Sequence, residues 1–124
     1  MPKKVVIDRS KWLNAYTRYT LGPSQMLDQK GNMCCLGFVC AAENVHPKNM
    51  LAKLTPRFVT CSPFALVCGT HLTDLANTAM EYNDDSTLSK SGREKALQQI
   101  FAAEGTYELE FVGAYPNEHA SSNA

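Results

Sequence analysis

The residues with the greatest capacity for chemistry are five cysteines, Cys34, Cys35, Cys40, Cys61 and Cys68, together with His46 and His71. A cysteine attacks as its thiolate, so catalysis needs a lowered thiol pKa and a nearby base. Cys34 or Cys35 would gain the first from the opening turn of a helix, where the dipole favours negative charge, and His46 or His71 could supply the second. Against this, neighbouring side chains on a helix point about 100° apart, so the two thiols do not easily face one ligand. No acyl-transfer motif surrounds them. Zinc is the other chemistry available: Cys61, Cys68 and His71 with Cys40 or Cys35 form a possible ligand set, and Cys68 and His71 have the two-residue gap of a knuckle. Structural zinc sites generally carry two such pairs, and only one is present. All five cysteines lie among apolar neighbours such as Leu36, Phe38, Val39, Phe64 and Val67, so packing as small buried hydrophobes is favoured over either reactive reading. An odd count without an export signal also argues against a disulfide framework.

The oxygen-rich run Asn83-Asp84-Asp85-Ser86 lacks the alternating spacing, central glycine and distal glutamate of a calcium loop. It reads better as a helix-ending turn held by side-chain to backbone bonds. Glu81 with Asp84 or Asp85 as a general acid and base pair has less support still. Lys48, Lys53 and Arg57 beside Phe58 could grip a phosphate and a stacked base, yet no glycine-rich phosphate loop accompanies them, which favours a solvated loop face. Trp12, Tyr16, Tyr19 and Tyr82 fit a core as well as an interface. Arg57, Phe58, Tyr82 and Arg93 are the candidate ligand or partner contacts. No catalytic residue, metal ligand or cofactor is assigned.

These residues must be positioned by a short list of elements. Residues 4–9 are β-branched and read as a strand, with Ser10 or Asn14 opening a brief turn around Trp12 and Leu13. Residues 33–44, capped by Asn32, are apolar nearly all round and predict a central helix with another backbone close to Gly37; His46-Pro47 stops it. Residues 47–69 read as an irregular excursion, where specific contacts are most expected. Leu72, Leu75, Ala76 and Ala79 recur with helical spacing and define a helix over 71–82. Ser91-Gly92-Arg93-Glu94 matches a capping box opening a helix over 91–104, with Ala96, Leu97, Ile100, Phe101 and Ala103 inward and Gly105 as its left-handed stop. Residues 107–112 alternate as a strand with its glutamates in water. The expected fold is α+β: a small antiparallel sheet pairing 4–9 with 107–112, packed on one face by three helices. Residues 1–114 form the single domain and 115–124 a flexible tail.

Bulk properties set outer limits. A chain of 124 residues fits one core. Twelve basic and twelve acidic residues balance, which removes the broad positive field that nonspecific nucleic-acid or membrane-surface binding needs. Neither a signal-peptide core nor a run long enough to span a bilayer is expected, so the protein is expected to be cytoplasmic and without a membrane partner.

Taken in order, Trp12-Leu13, Gly31-Asn32-Met33-Cys34-Cys35-Leu36-Gly37-Phe38, Asn83-Asp84-Asp85, Arg93-Glu94 and Glu108-Leu109-Glu110-Phe111-Val112 resemble a family of small uncharacterised proteins of tailed-phage and prophage genomes. The likeness spans most of residues 5–112; the Met-Cys-Cys-Leu-Gly-Phe block is its specific part. The sequence departs from the family pattern between Lys48 and Cys68. The resemblance implies a phage setting and a location in the host cytoplasm, but no chemistry. With no catalytic motif, the expectation is a non-catalytic phage accessory protein that blocks a host defence, by docking on a defence protein or by sequestering a nucleotide signal. A cysteine-dependent enzyme or zinc module, and a virion or assembly component, are the alternatives. The exposed sheet edge also allows self-pairing into a homo-oligomer.

Overall fold

Alternation at the two ends of the chain produces the sheet. In a computed structural model, which describes residues 2–15, 26–51 and 70–115 (the side chains of 70–73 excepted), β1 (Lys3–Asp8) lies beside β2 (Tyr107–Val112). Val5, Ile7, Tyr107, Leu109 and Phe111 are buried on one face, while Lys4, Val6, Glu108 and Glu110 are exposed on the other. The strands run parallel, with Val5 opposite Leu109 and Ile7 opposite Phe111, which corrects the expected antiparallel pairing. Everything between residues 9 and 106 forms the connection, so the chain returns to start its last strand at the same end as its first.

Besides a 3-10 turn at Arg9–Lys11, the described residues hold four α-helical segments: α1 (Cys35–Ala42), the single turn α2 (Pro47–Met50), α3 (Thr70–Asn83) and α4 (Lys90–Glu104). α1 packs on β1 and α3, and α4 packs on β2 and α3, giving an α+β fold with the sheet's apolar face against helices. Cys35, Leu36, Gly37, Phe38, Val39 and Cys40 are all buried, as expected of a central helix apolar on every side. Gly37 is there because the Met26 carbonyl lies against it: a Cβ would sit 2.0 Å from that oxygen. Leu75, Ala76 and Ala79 of α3 and Leu97 and Phe101 of α4 complete the core, whereas Ala103 faces solvent.

Several boundaries differ from the sequence reading for identifiable reasons. α4 opens one residue early, and its cap lies two residues before the expected serine: Ser89, not Ser91, accepts from the Gly92 amide at 3.0 Å. Glu94 is therefore not a capping glutamate. It receives a bidentate pair from Arg9, Nε to Oε2 at 2.7 Å and a second nitrogen to Oε1 at 2.8 Å, and also accepts from the Tyr115 hydroxyl. The Tyr115 ring lies 6.2 Å from that of Trp12, with the Lys90 ammonium 4.7 Å from its centroid. Tyr115, placed by sequence in the flexible tail, is thus docked on the domain, and 116–124 lie outside the described residues. Asn32 does not cap α1. It belongs to a turn in which Asp28 Oδ1 accepts from the Lys30 and Asn32 amides at 2.9 and 2.8 Å, with Gly31 at φ 86°.

The cap that α1 lacks locally comes from a distant residue. Asn83 Oδ1, at the end of α3, accepts from the Cys35 amide at 3.1 Å and from Trp12 Nε1 at 2.8 Å. Its amide nitrogen donates to the Leu13 carbonyl at 2.9 Å and to Asp84 Oδ1 at 3.0 Å. All four hydrogen-bonding positions of this buried side chain are thereby used.

Candidate functional site

Burial disposes of the cysteines first. Cys34, Cys35 and Cys40 are free thiols with no exposed surface. Burial pushes the Cys34 thiol up to about 12, and Cys35 well above the usual thiol value, chiefly by desolvating the charged form. The start of α1 therefore does not activate them, because loss of water outweighs the backbone hydrogen bonds that favour the thiolate. Both thiols of the adjacent pair are sealed from solvent. His46 is exposed and employed in structure, Nδ1 accepting from the Lys48 amide at 3.2 Å to cap α2. Cys61 and Cys68, and the side chain of His71, lie outside the described residues. Among the described residues, no three His, Cys, Asp or Glu side chains come together as metal ligands would.

Of the four expected contact residues, Arg57 and Phe58 also lie outside the described residues. Tyr82 is half-buried on α3. Arg93 is 1% exposed, and its guanidinium donates to the carbonyls of Tyr82 (3.1 Å), Asp85 and Leu88 (3.4 Å). It closes the α3–α4 turn from within instead of meeting solvent. The run after Asn83 is likewise a structural turn: Asp85 Oδ1 accepts from the Thr87 amide at 2.9 Å and its hydroxyl at 2.5 Å, and these bonds hold the carboxyl below its usual pKa.

The described surface does present one concave apolar feature. α1 ends in a left-handed Asn44 (φ 66°), with the Asn44 and Val45 amides returning to Ala41 and Cys40, each at 3.0 Å. This paired 5→2 and 6→1 arrangement turns the chain sharply and brings buried Val45 back under the helix. Pro47 then starts α2, which carries Met50 inward. Facing this corner, the Asp28 turn holds Leu27 and Met33, and Leu27 bridges to Leu51. Between them lies an open groove of about 440 Å³, walled by Leu27, Met33, Ala41, Val45, Pro47 and Met50, with Asn44 and His46 its polar members. Leu51, beside it, is 44% exposed. No lysine or arginine lines it among the described residues.

A volume of this size accepts one or two large apolar side chains, and the flexible thioethers of Met33 and Met50 let the walls adapt to them. Among the described residues that line the groove, only Asn44 and His46 carry polar side chains. Sequence reasoning passed over it because its walls come from three separated segments. Asn44 straight after an apolar helix was the readable signal, since asparagine is the residue besides glycine most tolerant of the left-handed conformation.

No protein-family model matches the chain, and neither a curated protein nor a solved structure registers as similar to it. The likeness to small phage proteins therefore rests on the quoted residues alone. No helix among the described residues is long and apolar enough to cross a membrane.

Proposed function

We propose that this chain is a non-catalytic binding protein of phage origin that acts in the host cytoplasm by docking on a host defence protein. The observation that supports docking is the apolar groove at the α1–α2 corner, lined by Leu27, Met33, Val45 and Met50. Apolar walls reward burial of hydrocarbon and offer nothing to a phosphate, so they favour a protein side chain over a nucleotide signal. The sealed thiols of Cys34, Cys35 and Cys40 support the non-catalytic part of the reading.

Ala41 gives a clean test, because it is exposed on α1 and also lines the groove. Affinity-tagged protein and its Ala41→Glu variant are expressed in infected cells, and the captured proteins and small molecules are identified by mass spectrometry. A host protein retained by the parent and by Gln99→Glu on the far helix α4, but lost with Ala41→Glu at unchanged melting temperature, is the expected result. Equal capture by all three removes the groove from the account. A nucleotide in place of a protein would establish sequestration, and abundance in purified particles would point to assembly.

A further inference from the structure

The two edges of the sheet are not equivalent. In a parallel pair each residue directs its N–H and C=O to one side, and alternate residues to opposite sides. The Lys3 amide donates to the Thr106 carbonyl at 3.0 Å, so Lys3, Val5 and Ile7 bond toward β2 while Lys4, Val6 and Asp8 turn their main-chain groups outward. On β2 the outward set is Tyr107, Leu109 and Phe111. That edge is guarded: Gln98 Nε2 donates to the Leu109 carbonyl at 3.2 Å, and α4 packs along the strand. The β1 edge has no equivalent guard among the described residues, and Val6 at its centre is 51% exposed.

Charge decides what fits there. The outward-bonding residues also share the solvent face, so the edge reads Lys4, Val6, Asp8: a cation, an apolar centre and an anion. We propose that β1 is a dimerisation strand, pairing antiparallel with β1 of a second copy about a two-fold axis through Val6. In that register the two Val6 residues exchange a pair of main-chain hydrogen bonds, and Lys4 of each chain faces Asp8 of the other. The alternatives centred on Lys4 or on Asp8 set like charges opposite one another, which sheets disfavour. Asp8 has an oxygen available for this: the Ser10 amide and hydroxyl both bond to Oδ1, at 2.9 and 2.7 Å. Lys4 is held over the outer face by Glu110 at 3.5 Å.

Val5 and Ile7 are already buried within one chain, so the pairing gains little apolar area; main-chain bonds and two exposed ion pairs carry it. The dimer is accordingly weak, forms at micromolar concentration and loosens as salt screens the pairs. Sedimentation velocity over a concentration series should show a monomer–dimer equilibrium that shifts toward monomer in high salt. Val6→Pro removes an outward N–H without touching the β1–β2 ladder, and should give a monomer of unchanged circular dichroism. Val6→Cys places two sulfurs on residues about 5.5 Å apart and should yield, under mild oxidation, a disulfide joining residue 6 of one chain to residue 6 of the other. A parent chain that stays monomeric at high micromolar concentration overturns the proposal. So does a dimer that survives Val6→Pro and gives no residue 6 to residue 6 cross-link. Should Val6→Pro fail to fold, the cross-link alone decides.

Discussion

Asn83 shows how much one side chain can organise. It joins the segment after β1, the start of α1 and the end of α3 through Trp12, Leu13 and Cys35. Replacing it with alanine strands the indole N–H, the Cys35 amide and the Leu13 carbonyl in a buried setting, each a costly group to leave unpaired. Asn83→Ala should therefore lose about 3 kcal/mol in denaturant unfolding, several times the effect of a surface substitution. The thiols allow a second expectation. Alkylation of Cys34, Cys35 and Cys40, followed peptide by peptide, should track global unfolding, because their thiolates form only after water reaches them. The packing role of these cysteines was legible from their apolar neighbours. The inward turn of Arg93 was not, since nothing in a local sequence says that a guanidinium will find backbone carbonyls.

Helix ends decide where the elements begin and stop, and they were read with uneven success. Gly105 stops α4 at φ 93° as its position predicted, but two serines precede the helix and only geometry selects Ser89 as the cap. Ser89→Ala should cost about 1 kcal/mol and Ser91→Ala little, measured by thermal melting. At Gly37 the expected close backbone is the Met26 carbonyl, and an alanine there must displace it. Gly37→Ala should be net destabilising by about 1–2 kcal/mol despite the helix-propensity gain. Glu94 links the turn at Arg9–Lys11 to α4. Burial opposes its ionisation, but hydrogen bonds from Arg9 and Tyr115 and the charge of Arg9 outweigh it, so its pKa falls below the ordinary 4.5. A folded-state pKa below the unfolded one contributes stability that is full above pH 4.5 and fades as pH falls through the folded value. Glu94→Gln should lower stability at neutral pH and flatten the acid limb of a stability–pH profile.

At the scale of the whole molecule the α+β class and both strands were legible, the first from its β-branched run and the second from alternation, while their relative direction was not. Pleat and burial are the same in either orientation, and with residues 9–106 between the strands no hairpin turn exists to fix it. The groove escaped for a related reason, since a concavity depends on how three segments meet and no single one of them encodes it. Ala41→Glu should leave folding unchanged, with the same melting temperature and circular dichroism, because the site is exposed and helical. The distance along the chain between β1 and β2 has a consequence during biosynthesis. At roughly 5–20 residues per second, the ribosome needs several seconds after making Ile7 before Phe111 exists to lie beside it. Throughout that interval the nascent strand is a sticky, unpaired ribbon, and any early stop before residue 107 leaves it so permanently. Pairing of the sheet in this protein thus waits until β2 has been made.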